Sequence, residues 1–167
     1  MKRTAPLLAF FMAILLPGFV MAQGLNVTFG GIKQDPTLPV EMTADQLSVD
    51  QNDNSAVFTG NVLIGQGEMR LSADKVRVEY ETKDGAATGR ISRLLASGNV
   101  TLVSAAEAAE AQNAVYSVDA GIIVMTGDVL LTQGFNALSS QKMTVNLTTG
   151  NAVMEGRVKT ILQTGNN

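Results

Sequence analysis

Carboxylates are the residues of this chain that could do acid–base chemistry, because its 167 residues include no histidine and no cysteine. A catalytic triad, a thiol nucleophile and the usual zinc or copper sites each require one of those residue types. Asp45 and Asp74 each follow an alanine, but Gln112 and Gln141 occupy the corresponding places later in the chain. Acid–base catalysis needs a desolvated carboxylate beside a second group. Replacement by amides therefore indicates turn or surface positions, and we predict that the protein is not an enzyme.

A second group of acidic residues lies in DQNDN, at positions 50–54, where Asp50 and Asp53 suggest a calcium ligand set. The stretch lacks the loop glycine and the closing glutamate of an EF-hand. Asn and Asp are also the residues that favour tight turns. We therefore interpret DQNDN as a hairpin turn, and the sequence predicts neither a metal site nor a cofactor.

The motif Gly-x-Val occurs four times, with its glycines at positions 60, 98, 127 and 156. The last three glycines are 29 residues apart, and the first interval is 38 residues because a polar, Gly-rich insertion surrounds TKDGAATG at 82–89. Repeats of this length indicate stacked supersecondary units. A glycine inside a strand permits a bulge or a sharp bend. We therefore predict that these glycines bend successive strands at one level and have no catalytic role.

Hydrophobic residues alternate with polar ones inside each unit, as in Val76-Arg77-Val78 and Met143-Thr144-Val145. This period of two is typical of strands with one buried face, so the chain is predicted to be all-β. Superposing the units gives one continuous apolar stripe. Its predicted inward residues are Leu47, Val49, Phe58, Val62, Ile64, Leu71, Val76, Val78, Tyr80, Val100, Leu102, Tyr116, Val118, Met125, Val129, Leu131, Met143, Val145 and Leu147.

Two segments depart from the repeat. SAAEAAEAQNA, at 104–114, has the composition of a helix but occupies the position of a strand, so we expect an irregular or weak strand there. Residues 23–38 contain several Gly and Pro residues and read as an extended lead-in, in which Leu25, Val27 and Phe29 could add an edge strand.

The N-terminus has the pattern of a secretory signal peptide. Lys2 and Arg3 precede an apolar run that ends near Met21, and the expected cleavage follows Ala22. The run is short for a transmembrane helix and contains Pro17. The expected organisation is a signal peptide (1–22), the lead-in (23–38), a single domain (39–163) and a short tail (164–167).

The charge balance argues against nucleic acid as a partner. The 12 Lys and Arg residues include Lys2 and Arg3, so cleavage would leave ten basic against 15 acidic residues, a net charge of −5. A phosphate backbone is attracted by clustered basic residues and stacking aromatic residues, and this sequence offers neither. The apolar stripe is the remaining candidate site. It is either the filled core between two sheets or a groove for an apolar ligand, since both use the same residues.

Three stretches in order resemble the OstA-like domain family of LptA-type periplasmic lipopolysaccharide transport proteins. They are ADQLSVDQNDNSAVFTGNVLIGQGEMRLSADKVRVEY, ASGNV and AVYSVDAGIIVMTGDVLLTQG, and the similarity runs from about Leu38 to Leu162. The resemblance implies a twisted antiparallel β-jelly roll whose two sheets open as a V around an apolar groove. It also implies a periplasmic carrier that binds the lipid A acyl chains of lipopolysaccharide and passes the lipid from the inner to the outer membrane.

The same resemblance implies protein partners. These are the inner-membrane protein LptC, the outer-membrane protein LptD and further copies of this chain, joined end to end through edge strands. Val158, Thr160 and Leu162 lie in the last unit, which has no following unit to pair with, so we expect them at the pairing edge. The alternative is a secreted structural β-repeat protein with a filled core and no ligand.

Overall fold

Alternating apolar and polar residues form strands over most of the described chain, which a computed structural model gives as residues 25–28, 35, 37–50, 52–105 and 107–162. The predicted signal peptide, its cleavage after Ala22 and the tail at 164–167 lie outside these residues. The strands are β1 (Leu25–Thr28), β2 (Glu41–Thr43), β3 (Gln46–Asp50), β4 (Ser55–Gln66), β5 (Met69–Lys83), β6 (Ala86–Ser104), β7 (Glu107–Ser117), β8 (Ile122–Gln133), β9 (Asn136–Asn146), β10 (Asn151–Glu155) and β11 (Lys159–Ile161).

The described residues contain no helix, and therefore no helix that could span a membrane. Every strand pair is antiparallel, which confirms the all-β prediction. The sheet runs in the order β1-β10-β9-β8-β7-β6-β5-β4-β2, with β3 also paired to β4 and β11 also paired to β9. From β4 to β10, strands that are neighbours in the chain are thus neighbours in the sheet, whereas β1 pairs with β10.

The four repeated glycines lie where strands bend. Gly60 has a φ of 81° and Asn61 a φ of 45°, so two successive residues adopt the left-handed conformation. A side chain opposes that conformation, but glycine has none and asparagine tolerates it. The other three glycines and their following residues have the same signs of φ, and the strand register shifts beside Gly60, Gly98 and Gly127.

The bends divide the sheet into two layers. The upper layer contains β1, β3, β10 and residues 55–59, 75–83, 86–97, 113–117, 122–126 and 142–146. The lower layer contains β2, β11 and residues 62–66, 69–73, 100–104, 107–111, 129–133 and 136–140. Met125 in the upper layer and Leu131 in the lower layer are both fully buried. A buried hydrogen bond joins Tyr116 of β7 in the upper layer to Gln66 of β4 in the lower layer, three strands away, so the inner faces of the two layers meet.

Residues 107–114 of the Ala- and Glu-rich segment belong to β7, which is irregular at one register shift, as expected, but is paired along both of its edges. β7 pairs with β6 along one edge and with β8 along the other. Its register shift lies between Glu110 and Asn113, at the level of the bends in the neighbouring strands. Ala109 and Ala114 are buried in the core. Backbone pairing on both sides outweighs the helical propensity of alanine, which is a weak preference.

The lead-in forms the edge strand expected around Leu25 and Val27, and Phe29 lies outside the described residues. This strand, β1, pairs with β10, so an N-terminal segment covers an edge at the C-terminal end of the sheet. β2 lies at the opposite end of the sheet order. The sheet edge formed by β10 is therefore not open in the upper layer.

Candidate functional site

Most of the predicted inward residues form the continuous core of the two layers. Fourteen of them are buried: Val62, Ile64, Leu71, Val76, Val78, Val100, Leu102, Tyr116, Met125, Val129, Leu131, Met143, Val145 and Leu147. Phe58, Tyr80 and Val118 are partly buried and pack against this core. These residues fill the space between the layers with their own side chains.

Leu47 and Val49 differ from the other inward residues because they are exposed. They lie opposite Phe58 and Ala56 of β4, and opposite residues in a sheet point to the same face. Both are therefore on the inner face, yet Leu47 is 54% exposed and Val49 is 63% exposed. Among the described residues, no strand pairs with the outer edge of β3, so these two side chains are left exposed. We call this end, defined by Leu47 and Val49, the N-terminal end of the inner face.

A pocket of about 330 Å³ opens beside this end. Its walls are formed by Val49, Asp50, Asn54, Ser55, Tyr80 and Ala87. Val49 and Tyr80 are among the predicted inward residues, so the pocket borders the N-terminal end of the inner face.

The opposite end of the inner face is uncovered in the lower layer. Thr160 of β11 lies opposite Leu138, which is buried on the inner face. Val158 and Leu162 lie two residues before and two residues after Thr160, a spacing that places side chains on the same face of an extended chain. They are 37% and 61% exposed. Of the predicted pairing-edge residues, Thr160 therefore lies in the last strand of the lower layer, and Val158 and Leu162 flank that strand. The apolar inner face reaches the solvent at both ends of the sheet.

Gln66 joins three parts of the molecule, and the sequence analysis did not identify it. Its side chain is on the inner face of β4 and is only 1% exposed. Its Oε1 accepts a hydrogen bond from the Tyr116 hydroxyl at 2.8 Å, and its Nε2 donates to the Leu38 carbonyl oxygen at 2.9 Å. Gln66 belongs to the lower layer and Tyr116 to the upper layer. This polar pair therefore bridges the two layers and holds the lead-in against them.

Burial changes the acidity of Tyr116. Removal of the phenol from water raises its pKa above the usual 10.0. The phenol is thus held in its neutral, donating form. The Gln66–Tyr116 pair carries no charge into the apolar interior.

Asp45 and Asp74 contact two separate bends. Each lies over the glycine of the adjacent strand, Asp45 over Gly60 and Asp74 over Gly98. Asp45 Oδ2 accepts a hydrogen bond from Asn61 Nδ2 at 2.8 Å. Asp74 makes the same contact with Asn99 at 2.9 Å. The two carboxylates are exposed and engaged at separate bends.

Amides perform the same task in the later units. Gln112 lies over Gly127 and donates from Nε2 to Asp128 at 2.9 Å. Gln141 lies over Gly156, and its backbone N–H donates to the glycine carbonyl oxygen at 3.0 Å. A carboxylate is therefore not required at this place, because either side chain can complete the bend.

The acidic residues of DQNDN accept hydrogen bonds from nearby residues of the turn and from one arginine of β5. Asp50 Oδ1 accepts the backbone N–H of Asn52 at 2.8 Å. Asp53 accepts the Ser55 hydroxyl and an N–H of Arg77, each at 2.6 Å. The Ser55 hydroxyl, followed by Arg77, lowers the pKa of Asp53. No cluster of three or more metal-ligating side chains occurs in the described part of the chain.

Four basic side chains on the outer surface, namely Arg77, Arg90, Arg93 and Lys142, are paired with carboxylates. Arg93 contacts Glu79 at 2.7 Å, and Arg90 contacts Asp119 at 3.0 Å. Lys142 contacts Glu155 at 2.8 Å. These exposed pairs contribute little stability. They also neutralise positive charge that would otherwise attract phosphate groups.

Fold and site together define a class of protein: an all-β antiparallel sheet folded on itself around an apolar inner face that is open at its ends. Residues 41–151 match the family model described as LptA/(LptD N-terminal domain) LPS transport protein. Because this match covers more than half of the chain, the protein belongs to that family.

Individual relatives agree with the family assignment. An uncharacterised protein of Rhizobium meliloti (strain 1021) is 29% identical over 154 residues, covering 88% of this chain and 83% of the relative. The lipopolysaccharide export system protein LptA of Escherichia coli (strain K12) is 39% identical over 56 residues, which are 34% of this chain and 29% of that protein.

A solved structure has the same fold. It is the crystal structure of LptH, described as the LptA homologous periplasmic component of the conserved lipopolysaccharide transport device from Pseudomonas aeruginosa. The TM-score is 0.66 at 16% sequence identity, and the match covers 78% of this chain and 99% of that one.

Proposed function

We propose that this protein is a periplasmic carrier of lipopolysaccharide. It binds the lipid A acyl chains between its two layers and passes the lipid from the inner towards the outer membrane. The observation that carries the proposal is the inner face, which is mostly apolar and is exposed at Leu47 and Val49 and again at Val158 and Leu162. Membership of the LPS transport family supports the choice of ligand.

Acyl chains suit this face for energetic reasons. Burial of a lipid chain contributes about 0.8 kcal/mol per methylene group, so contact along several strands provides ample affinity. The sequence is acidic, with 15 carboxylate residues against 12 basic ones. Phosphates of the head group are therefore not attracted and stay in water. The protein binds the tails and leaves the head group outside.

Lipid entry requires the layers to separate. Val78 of the upper layer and Leu131 of the lower layer are both fully buried, so the chains must displace protein contacts at the centre of the inner face. The Gln66–Tyr116 hydrogen bond links the layers and has to break during such an opening. Entry begins at the N-terminal end, where Leu47 and Val49 already face solvent.

The edge strands of the sheet can join two copies, so that lipid passes from one copy to the next. In the strand pairs β4–β5, β6–β7 and β8–β9, the residue two positions before the bend glycine lies opposite the residue two positions after the bend Asp or Gln. These register pairs are Phe58–Val76, Ala96–Ala114 and Met125–Met143. If Gly156 of one copy is aligned with Asp45 of the next copy in the same register, Met154 lies opposite Leu47 and Ala152 lies opposite Val49.

The strand directions fit this contact. β10 and β11 run from the upper to the lower layer, whereas β2 and β3 run from the lower to the upper layer. An incoming copy therefore continues the antiparallel sheet, with both inner faces joined. Backbone pairing of this kind is a general mode of association at sheet edges, and a head-to-tail contact does not close on itself. LptC and LptD are proposed to bind the two ends in the same manner.

Photo-cross-linking tests the proposal directly. A photoreactive residue at Val78, Leu131 or Val145 should trap lipopolysaccharide, and so should one at Leu47. The matched outward controls are Arg77, Thr132, Asn146 and Ser48, each next to its inward counterpart in the chain. Neighbours in a strand point to opposite faces, so only the inward set contacts the lipid. Equal labelling of the two sets would rule out binding between the layers.

A second candidate function is that of a structural β-repeat protein without a ligand. One observation favours it: the centre of the inner face is already filled by side chains such as Val76, Leu102 and Val145, all fully buried. Mass spectrometry of protein purified from its native envelope separates the two functions. Bound lipopolysaccharide supports the carrier, and lipid-free protein in cells that make lipopolysaccharide supports the structural role.

The periplasmic location has a separate test. The proposed signal peptide ends at Ala22, so the exported protein should begin at Gln23. Intact mass and N-terminal sequence of the protein from a periplasmic extract would check this. A chain that keeps residues 1–22 and sediments with the membrane would contradict the proposed processing.

A further inference from the structure

β1 pairs with a strand from the other end of the chain. Its four residues lie antiparallel to β10, with Leu25 opposite Met154 and Val27 opposite Ala152. Met154 and Ala152 are fully buried although β10 would otherwise be the last strand of the upper layer. In the free protein, the backbone edge of β10 is therefore occupied.

The sequence of β1 resembles that of β3. Residues 25–28 are LNVT, and residues 47–50 are LSVD, so each strand has a leucine followed two positions later by a valine. In the register proposed above, Leu47 and Val49 of the next copy lie opposite Met154 and Ala152. β1 places Leu25 and Val27 opposite the same two residues. β1 thus matches β3 in sequence pattern, direction and register.

The two strands cannot occupy this edge together. β1 covers β10 in the upper layer, while β11 ends the lower layer, so the two layers end one strand apart, about 4.8 Å. β2 and β3 of an incoming copy are nearly continuous and both pair with β4 in their own copy. They can pair with β10 and β11 together only if β1 has left.

We infer that β1 is an internal mimic of β3 that occupies the C-terminal edge of the free protein and is displaced by the next copy. This inference rests on the proposed end-to-end assembly. β1 forms four residue pairs with β10. β2 and β3 form three and five pairs with β4, and a copy docked in the same way gains more backbone pairing than β1 gives up. Free copies are therefore protected from random association, and a correctly aligned edge still displaces β1.

A disulfide that locks β1 onto β10 tests this competition, and the sequence contains no cysteine that could form other disulfides. One variant carries Asn26→Cys with Val153→Cys, and a second carries Val27→Cys with Ala152→Cys, both being register pairs. Opposite pairs alternate between wide and close spacing, so one of the two variants has the spacing that suits a disulfide. The oxidised protein should contain an intramolecular bond and stay monomeric in sedimentation over a concentration series. Reduction should restore association.

Release of β1 gives the opposite result. Leu25→Asp with Val27→Asp puts two charges opposite buried Met154 and Ala152, which should detach β1. The matched control, Asn26→Asp with Thr28→Asp, adds the same charge at the alternate positions. The first variant should associate about tenfold more tightly if β1 occupies the edge nine-tenths of the time, and the control should change much less.

The outcomes separate this inference from the proposed function. An oxidised, intramolecularly locked protein that associates as well as the reduced protein would overturn the competition and leave end-to-end assembly intact. Disulfides between copies, or no disulfide in either variant, would show that β1 is not on its own β10, and would also overturn it. If the wild type and the released variant remain monomeric at every concentration, the assembly itself fails and the inference fails with it.

Discussion

Tyr116 on β7 donates a buried hydrogen bond of 2.8 Å to Gln66 on β4, fifty residues earlier in the chain. The two residues belong to different layers, so this hydrogen bond forms only when the layers are closed. Replacing Tyr116→Phe removes the donor and leaves the Gln66 oxygen buried without its hydroxyl partner. The loss of stability should be about 1–3 kcal/mol by urea unfolding.

A double variant shows whether the bond itself causes that loss. Tyr116→Phe combined with Gln66→Leu removes both partners of this bond and also the Gln66–Leu38 contact, so the double variant should lose less stability than the sum of the two single variants. Tyr80→Phe, on the partly buried margin of the core, is the control and should be nearly neutral. Additive losses in the double variant would mean that the two side chains act independently.

Stability should fall in alkaline solution because of Tyr116. Burial raises the pKa of this phenol in the folded protein above 10.0, so the folded state favours the neutral form. That contribution is complete below about pH 10 and is lost as the pH rises through the folded-state pKa. The urea midpoint of the wild type should therefore fall more steeply from about pH 9 to about pH 11 than that of Tyr116→Phe. Parallel curves would contradict this.

The bend glycines should tolerate alanine less well than a turn glycine with the same backbone. Gly127 has a φ of 84°, and an added Cβ would lie 2.8 Å from Cβ of Gln112. Gly85 has a φ of 82°, with nothing within 4 Å of an added Cβ. Both alanine variants adopt a left-handed conformation at a cost of about 1–2 kcal/mol. Gly127→Ala should lose a further 1–3 kcal/mol, roughly, through crowding. Equal losses in urea unfolding would show that crowding at the bend is relieved.

Removal of the charges from Asp45 and Asp74 should have little effect. Each accepts one asparagine N–H, and an asparagine at the same place keeps a carbonyl oxygen for that contact. Gln112 shows that an amide completes an equivalent bend. The variant Asp45→Asn with Asp74→Asn should change the free energy of unfolding by less than about 1 kcal/mol and leave transport-dependent growth nearly intact. Loss of growth with a normally folded protein would indicate a functional site at these carboxylates.

Mixing two single-cysteine proteins should report the register between copies. Val49→Cys in one protein and Ala152→Cys in the other should form a covalent dimer, because the proposed contact places these residues opposite each other. Val49→Cys mixed with Leu63→Cys is the control, since Leu63 points outward on β4. Non-reducing gel electrophoresis separates the outcomes. A dimer of equal yield in both mixtures would reflect random collision.

Sequence periodicity was sufficient to place the strand faces. Val76 and Val78 are buried while Arg77 between them is partly exposed, as the alternation predicts. Leu47 and Val49 show the limit of that information. Alternation places them on the inner face, but their exposure depends on being at the end of the sheet, which is a property of the whole assembly of strands. A side chain is buried only if it points to the inner face and a neighbouring strand also covers it.

Two further features depend on contacts that a local pattern does not contain. Gln66 is a polar residue in an apolar position, and its burial becomes reasonable only when Tyr116 and Leu38 are brought to it from distant parts of the chain. The strand in the Ala- and Glu-rich segment is likewise imposed by β6 and β8 on its two sides. Local propensity favours a helix there, and tertiary pairing overrides it.

The pairing of β1 with β10 also has a consequence for the order of folding. Each of the other strands meets a partner close to it in the chain, so those contacts close short loops and can form as the polypeptide emerges. Leu25 and Met154 are at nearly opposite ends, and the entropy cost of closing a loop rises with its length. β1 should therefore be the last strand to join the sheet. Its docking marks a finished molecule, whereas a truncated or stalled chain that lacks β10 leaves β1 without a partner.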